Sequence, residues 1–292
     1  MRTPILLLLI VVAMIAPPLH SADALAHDND VTSLRVGVFP RRPTAETRRM
    51  MQPLVAHLSR QLQMPVTLFT PPDYPSFWRA IEQNRYDLVH YNQYHYVRAH
   101  KTLGHRLVAR NEEQGSNQIR ASVLVRNDSP IHTLDQLRGR KIMFGGGRGA
   151  MVSYILAVDL LREAGLDDGD YIAQFALNPP QAVTAMYFGQ ADAASSGRIA
   201  LTSDTFTPQI GDSTQLREIA KSAAIPQLPW AVRADVPTTL QRRITRALVG
   251  LSDTPSGSPI LHQLQLTAFA TAVDADYDNV RAVVARILGE QY

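Results

Sequence analysis

The sequence has no cysteine among its 292 residues. This absence excludes a disulfide framework, a thiolate metal site and a cysteine nucleophile, so any metal ligand must be an oxygen, nitrogen or thioether group. An excess of charge of one sign is also missing, because 29 lysine and arginine residues balance 26 acidic residues and leave a formal net charge of +3. Binding to a nucleic-acid backbone requires a clustered basic surface, and we therefore expect no nucleic-acid partner.

Long apolar runs are scarce, and the most prominent one lies near the N-terminus, at residues 5–16. It is shorter than the roughly 20 residues that a membrane-spanning helix needs. Arg2 precedes this run, and Ala24-Leu25-Ala26 follows it with the small-x-small pattern of a signal cleavage site. These features predict a secretory signal peptide over residues 1–26, cleaved near Ala26, and no membrane insertion of the chain after cleavage.

Common catalytic motifs are also missing. The sequence contains neither H-E-x-x-H nor G-x-S-x-G, and its carboxylates are dispersed without a paired signature. Zinc proteases and many serine hydrolases carry these motifs. We therefore expect a binding protein and not an enzyme, with no catalytic residues and no cofactor.

The residues that follow the predicted signal alternate between strand-like and helix-like patterns. Residues 34–39 and 64–69 have the composition of buried strands, and Thr44–Leu62 between them repeats apolar residues with a helical period. A second set follows, with a strand at residues 141–144 and a helix at residues 151–164. This order predicts an α/β fold with parallel strands.

A turn-rich stretch, Asn127-Asp128-Ser129-Pro130, separates the two sets of elements. We expect two lobes joined by two crossing segments, with lobe 1 formed by residues 27–126 and 227–292 and lobe 2 by residues 127–226. Two crossings create a hinged clamp, and ligands of such sheets bind beyond the carboxyl ends of the strands. The cleft between the lobes is therefore the expected ligand site.

A glycine-rich segment, Gly145-Gly146-Gly147-Arg148-Gly149-Ala150, joins a predicted strand to a predicted helix. Glycines allow the backbone to approach a ligand closely, and free N–H groups at the start of a helix attract anions. The segment lacks the Lys-Ser/Thr pair of a P-loop. We interpret Gly147, Arg148, Gly149 and Ala150 as lobe 2 contacts to an anion, and a tight strand-to-helix turn is the alternative.

A second polar segment, residues 87–96, lies where another strand gives way to a helix. His90 and Asn92 are candidate lobe 1 contacts to the ligand. His90 and His95, together with the thioether of Met151, form an alternative site for a transition metal such as copper or zinc, because imidazole and thioether groups suit copper. The other interpretation is that these histidines form hydrogen bonds within the protein.

Several segments, taken in their order, resemble the phosphonate-type periplasmic solute-binding proteins of ABC transporters, which have the type II periplasmic binding protein fold. The segments that carry the resemblance are residues 74–80 (YPSFWRA) with Asp87, residues 120–140, Phe144-Gly145, residues 189–194 (GQADAA), Ile225-Pro226 and residues 230–233 (WAVR). The resemblance implies a periplasmic protein whose lobes close on a small ligand for an ABC transporter permease. A sensing role beside a membrane sensor kinase is the alternative, and we expect a monomer.

The resemblance also implies that Tyr74 and Tyr96 line the ligand site and that the ligand is a phosphonate, phosphite or similar phosphate-like oxyanion. Members of the family carry a Ser-Thr-Ser run that holds the phosphoryl oxygens, and this chain has Gly149-Ala150-Met151 at that place. A buried anion without donors is costly. Either Arg148 and backbone N–H groups replace the missing hydroxyls, or the ligand is different.

Overall fold

The computed structural model describes residues 31–197 and 213–292. The predicted signal peptide and its cleavage site near Ala26 lie outside the described residues. Within the described part of the chain, no helix combines the length and the apolar character needed to cross a membrane.

Strands and helices alternate along the chain. The strands are β1 (Leu34–Val38), β2 (Val66–Phe69), β3 (Leu88–His90), β4 (Arg106–Glu112), β5 (Gln118–Ile119), β6 (Ala121–Arg126), β7 (Lys141–Gly145), β8 (Ile172–Ala176), β9 (Ala193–Gly197), β10 (Leu216–Lys221), β11 (Ile225–Pro226), β12 (Pro229–Val232) and β13 (Ala268–Ala270). The α-helices are α1 (Thr44–Leu62), α2 (Tyr74–Glu82), α3 (Gln93–Leu103), α4 (Leu156–Glu163), α5 (Pro179–Tyr187), α6 (Thr238–Val249), α7 (Gly257–Leu264) and α8 (Asp278–Leu288). A π-helical turn, Met151–Ile155, leads into α4. Short 3₁₀ turns lie at Leu134–Leu137, Ser213–Gln215, Gly250–Asp253 and Asp274–Tyr277.

Two mixed sheets organise the described residues. The first has the strand order β13-β4-β12-β3-β1-β2, and the second has the order β10-β6-β9-β7-β8. β1 pairs in parallel with β2 and β3, and β7 pairs in parallel with β8 and β9. The parallel pairing expected from the β-α-β order is therefore confirmed in both sheets. Below, lobe 1 is the half built on the first sheet and lobe 2 is the half built on the second.

Two connections cross between the sheets. One runs from the end of β4 to the start of β6, and the other runs from the end of β10 to the start of β12. Within these connections β5 and β11 pair with each other in antiparallel fashion, with Ile119 opposite Ile225 and Gln118 opposite Pro226. We call residues 113–120 and 222–228 the hinge ribbon.

The first crossing lies earlier than the boundary expected at residues 126/127. β6 is an inner strand of the second sheet, where it pairs with β9 on one side and β10 on the other. Backbone groups of an inner strand need partners on both edges, and the second sheet supplies them. The turn at residues 127–130 follows β6 and leads onward within lobe 2.

The C-terminal helix α8 also departs from the expected division of residues 227–292 to lobe 1. It packs against α3 of lobe 1 and against α4 of lobe 2. Arg286 on α8 forms a bidentate ion pair with Asp159 on α4, with both N–O distances at 2.7 Å. α8 therefore contacts both lobes.

Local sequence explains where the helices near the cleft begin. Asn178 caps α5 by accepting a hydrogen bond from the Gln181 N–H at 3.0 Å, and two prolines occupy the first turn, where no N–H donor is needed. α5 therefore starts at Pro179. The predicted helix at residues 151–164 begins with the π turn, in which the Ile155 N–H reaches the Ala150 carbonyl oxygen at 3.1 Å. α7 and β13 were not predicted, because each is short and has weak periodicity.

Candidate functional site

A cavity lies between the two lobes and is called the interlobe cavity. Its empty space, including the part that opens to solvent, is about 630 Å³. Lobe 1 lines it with Phe39, Arg41, Arg42, Tyr74, Asn92 and Gln93. Lobe 2 lines it with Ala150, Met151, Val152, Ser153, Pro179, Pro180, Ser196 and Gly197. Most of these residues follow the carboxyl ends of strands, where ligands of such sheets bind.

Residues 39–42 directly follow β1, and we call them the arginine turn. Two of them, Arg41 and Arg42, place positive charge on the cavity wall. Arg41 forms an ion pair with Glu113 at 2.8 Å, and Arg42 forms one with Glu46 at 3.1 Å. Burial and the neighbouring charge of Arg41 lower the pKa of Arg42 to about 10. Glu46 therefore does not fully compensate the desolvation of the Arg42 guanidinium, and an anion bound beside it would be stabilised.

The arginine turn was missed in the sequence. Its signal is the run Phe39-Pro40-Arg41-Arg42 immediately after a buried strand, since this position opens on the cleft of an α/β protein. Arginine pairs on protein surfaces are common, so the run does not stand out in composition. Pairing with Glu113, which is distant in sequence, holds Arg41 in the cavity wall.

Tyr74, which the family resemblance implied, and Asn92, which was named from the sequence, both line the interlobe cavity. Burial raises the pKa of the Tyr74 phenol above its ordinary value, so its hydroxyl remains protonated and can donate a hydrogen bond. Asn92 caps α3, because its Oδ1 accepts from the His95 N–H at 2.8 Å. Its Nδ2 donates to the carbonyl oxygen of Gly149 at 2.8 Å, and this bond joins lobe 1 to lobe 2.

Residues 145–150, called the glycine loop, pack against lobe 1. A Cβ atom on Gly146 would lie 2.9 Å from the Tyr74 ring, and one on Gly149 would lie 3.1 Å from the His95 ring. Gly146 also has φ +87°, a left-handed conformation that favours glycine. The glycines therefore allow aromatic side chains of lobe 1 to approach the backbone of lobe 2.

Arg148 and Gly147 do not line the interlobe cavity, and Ala150 does. Arg148 is exposed, and its guanidinium donates to the Tyr154 hydroxyl at 2.6 Å and lies over the Tyr154 and Phe175 rings. Gly149 reaches the site only through the bond between its carbonyl oxygen and Asn92. The positive charge of Arg148 therefore lies outside the interlobe cavity.

Lobe 2 supplies a hydroxyl that the sequence did not single out. Ser196, at the end of β9, is 1% exposed and lines the cavity, and its Oγ has no hydrogen-bond partner among the described residues. Ser153 also lines the cavity, but its hydroxyl donates to the carbonyl oxygen of Gly145. Ser196 is therefore the hydroxyl free to donate to a ligand.

The structure places Tyr96 away from the interlobe cavity, although the resemblance assigned it to the ligand site. Its ring is fully buried and packs edge-on against Tyr277 at 5.0 Å between centroids. Its hydroxyl donates to the carboxylate of Asp274 at 2.7 Å. This partner belongs to a 3₁₀ turn near the C-terminus, so Tyr96 fixes α3 to that turn.

The candidate metal ligands His90, His95 and Met151 do not meet. Met151 lines the interlobe cavity, whereas His90 lines a separate cavity within lobe 1. His95 is buried against Tyr74, and its Nδ1 lies 2.7 Å from Asn92 Oδ1. Burial, helped by Arg98, lowers the pKa of His95 to about 3. No group of three or more histidine or acidic residues within the described ranges is arranged to hold a metal ion.

The fold and this cleft define a two-lobed periplasmic binding protein. A model of the family described as "ABC transporter, phosphonate, periplasmic substrate-binding protein" matches residues 36–277. The chain therefore belongs to this family of periplasmic substrate-binding proteins, whose members are components of transporters and not enzymes. The α/β two-lobed fold and the family resemblance read from the sequence are both confirmed.

Solved structures show the same fold. The structure of PhnD1 from Prochlorococcus marinus in complex with methylphosphonate matches with a TM-score of 0.78 and 15% identity, covering 89% of this chain and 99% of that one. A binding protein component of an ABC phosphonate transporter from Pseudomonas aeruginosa matches with a TM-score of 0.76 and 16% identity, covering 88% and 86%. A Xanthomonas citri protein bound to ATP matches with a TM-score of 0.74 and 16% identity, covering 88% and 98%.

Proposed function

We propose that this protein captures a phosphonate-type oxyanion in the interlobe cavity and that Arg41 and Arg42 are its cationic contacts. The observation that carries the proposal is the placement of these two arginines. Among the described residues that line the cavity, they are the charged ones. Guanidinium groups bind tetrahedral oxyanions through paired, charge-assisted hydrogen bonds.

Neutral donors complete the proposed site. Tyr74 and Asn92 approach from lobe 1, and Ser196 approaches from lobe 2. Ala150 and Met151 lie where a helical segment begins, so the first N–H groups of that segment add a further attraction for negative charge. This set replaces the missing Ser-Thr-Ser hydroxyls with guanidinium groups from the opposite lobe.

Closure of the two lobes is the proposed working motion. The hinge ribbon connects the lobes, and the bond from Asn92 to Gly149 holds their facing edges together. A ligand that contacts both lobes stabilises the closed arrangement because it binds that arrangement more tightly than the open one. The closed form would then be recognised by a transporter.

The family assigns an ABC transporter as the partner, and we propose that this monomer delivers its cargo to the permease of such a transporter. A signal peptide cleaved near Ala26 would bring it to the periplasm. We propose a binding role, because the described residues that line the cavity combine two arginines with neutral hydrogen-bond donors.

Calorimetric titration of the purified protein with methylphosphonate, phosphite and phosphate tests the proposal. Arg42→Gln should weaken binding of the anion that the unmodified protein binds by at least about tenfold, the usual effect of losing a charged hydrogen bond. Arg148→Gln is the matched control, because Arg148 lies outside the cavity. The affinity of this variant for the anion should stay within about twofold of that of the unmodified protein. Loss of binding in Arg148→Gln with full binding in Arg42→Gln would move the site to the glycine loop and overturn the proposal.

A further inference from the structure

A second cavity, called the inner cavity, lies within lobe 1, and its empty space, including the part that opens to solvent, is about 470 Å³. It shares Phe39, Arg41 and Arg42 with the interlobe cavity, so the two spaces are neighbours on either side of the arginine turn. Much of its remaining wall is apolar, and Met50, Trp230 and Phe269 contribute to it. Neither the family nor the proposed oxyanion contacts account for this space.

A chain of hydrogen bonds determines which nitrogen of His90 carries the proton. Trp230 Nε1 can only donate, and it donates to Asn111 Oδ1 at 2.9 Å. The amide of Asn111 therefore turns its Nδ2 donor toward His90 Nε2, at 3.3 Å. His90 Nε2 must accept, and the proton of the neutral ring is on Nδ1.

The Nδ1–H group of His90 is a donor without a partner. His90 is 4% exposed and lines the inner cavity, and its Nδ1 has no hydrogen-bond partner among the described residues. Burial, together with the charges of Arg41 and Arg42, lowers the pKa of His90 well below its ordinary value, so the ring is neutral. An unpaired buried donor is costly unless an acceptor reaches it.

Two aromatic rings pack against His90 beside the inner cavity. Trp230 stacks on the His90 ring at 4.4 Å with an interplanar angle of 9°, and Phe39 meets the same ring edge-on at 5.2 Å. Met50 and Met51 line the cavity with flexible thioether side chains that adapt to the shape of an occupant. The cavity therefore offers apolar contact together with one neutral donor.

We propose that the inner cavity is a subsite for an apolar substituent of the ligand, and that this substituent carries a hydrogen-bond acceptor for His90. The inference rests on the proposed function, because the anionic group of the same ligand is held at the arginine turn. The cargo is then a substituted organic phosphonate or similar organic oxyanion, larger than methylphosphonate. Apolar burial would compensate for the hydroxyl donors that are missing at Gly149-Ala150-Met151.

A series of three probes tests the subsite by calorimetric titration: methylphosphonate, phenylphosphonate and 4-acetylphenylphosphonate. Phenylphosphonate should bind at least about tenfold more tightly than methylphosphonate, because its ring carbons leave water. The acetyl oxygen should strengthen binding by a further factor of about five through His90, within the usual range for one hydrogen bond.

Two variants separate the subsite from the anion contacts. His90→Phe removes the donor and keeps a flat ring, so the advantage of the acetyl group should disappear while methylphosphonate affinity stays within about twofold. Met51→Trp narrows the cavity from a partly exposed position and should remove the preference for the phenyl group. His132→Phe, at an exposed position in lobe 2, is the control and should leave all three affinities unchanged.

The outcomes distinguish the inference from the function on which it rests. Equal binding of methylphosphonate and phenylphosphonate would overturn the inner subsite and leave the proposed function intact. Preserved preference for the larger probes in both His90→Phe and Met51→Trp, each shown to be folded by thermal unfolding, would also overturn the subsite. Absence of binding by all three probes to the unmodified protein would overturn the proposed function as well.

Discussion

The arginine turn and the glycine loop are both strand-to-helix connections that meet at the cleft, one from each lobe. The arginine turn contains no glycine and places two guanidinium groups on the cavity wall. The glycine loop contains four glycines, and its single arginine lies on Tyr154, outside the cavity. The glycine loop, whose sequence is typical of an anion site, therefore forms a contact between the lobes. The arginine turn, which has no such motif, supplies the positive charge of the cavity.

This difference shows what glycine does at the interface between two lobes. A glycine-rich connection is compatible with ligand binding and also with the close approach of another part of the protein. Here Tyr74 and His95 lie so near the loop that side chains on Gly146 and Gly149 would meet them. The four predictions that follow test this division of roles, from the largest expected effect to the smallest.

The largest effect is expected within the glycine loop itself. In Gly145→Ala the new Cβ would lie 2.3 Å from the backbone nitrogen of Pro179, so the start of α5 must move. We expect a loss of about 3 kcal/mol in the free energy of unfolding. Gly147→Ala meets no atom within 4 Å, although its φ of +80° is left-handed, and we expect a loss of only about 1 kcal/mol.

Urea denaturation of both variants measures these losses. Equal losses for Gly145→Ala and Gly147→Ala would contradict the close packing of Gly145 against the start of α5.

The second prediction concerns pH and His95, which lies against the loop. Since burial lowers its folded-state pKa to about 3, the unfolded chain binds a proton near pH 6.5 while the folded protein does not. Its contribution to stability is complete above about pH 6.5 and declines as the pH falls, by up to about 1.4 kcal/mol per pH unit. Unfolding free energies measured from pH 7 to pH 4 should show this decline.

His95→Gln should make the dependence on pH shallower. His105, whose pKa is lowered to about 4 mainly by burial, contributes a similar slope and remains in that variant. An unchanged pH profile in His95→Gln would show that His95 does not stay neutral in the folded protein.

The third prediction separates the two bonds of Asn92. Asn92→Ala removes the cap of α3 and the bond to Gly149, whereas Asn92→Ser keeps a capping oxygen and removes only the bond between lobes. We expect the alanine variant to lose about 1 kcal/mol of stability relative to the serine variant. Both variants should bind the ligand about fivefold more weakly, as expected for the loss of one hydrogen bond.

Thermal unfolding and calorimetric titration measure the two quantities separately. Full affinity in both Asn92 variants would show that the bond between lobes plays no part in ligand capture.

The smallest effect is expected for Gly149→Ala. Its Cβ would lie 3.1 Å from the His95 ring and 3.3 Å from the Tyr94 ring, so these rings must shift by a few tenths of an ångström for the lobes to meet. We expect a loss of ligand affinity of about twofold to threefold, because the closed arrangement becomes less favourable. Gly250→Ala, which meets nothing within 4 Å, is the control, and an equal loss there would contradict the explanation.

Much of the fold could be predicted because it follows from local pattern. Thr44–Leu62 was predicted with its observed bounds, since its apolar period is regular over many residues. The predicted crossing into lobe 2 lies several residues too late in the chain, because the sequence of β6 does not indicate which sheet it joins. α7 and β13 were missed because short elements depend on tertiary packing.

Three residues named from the sequence line the interlobe cavity. Asn92 and Ala150 lie there because each follows a strand end, and Tyr74, which the family resemblance implied, lies there at the start of α2. The direction of the Arg148 side chain could not be predicted from the sequence, because it depends on the Tyr154 hydroxyl and the Phe175 ring in folded lobe 2. The role of Arg41 likewise depends on Glu113, which the chain brings close only after β4 is in place.

A crystal structure of the protein with its phosphonate ligand tests the central claim most directly. Our account predicts phosphonate oxygens within about 3 Å of the Arg41 or Arg42 guanidinium groups, in the interlobe cavity, with Arg148 still bonded to Tyr154. A phosphonate group bound by Arg148 and the N–H groups of the glycine loop, remote from the arginine turn, would contradict it.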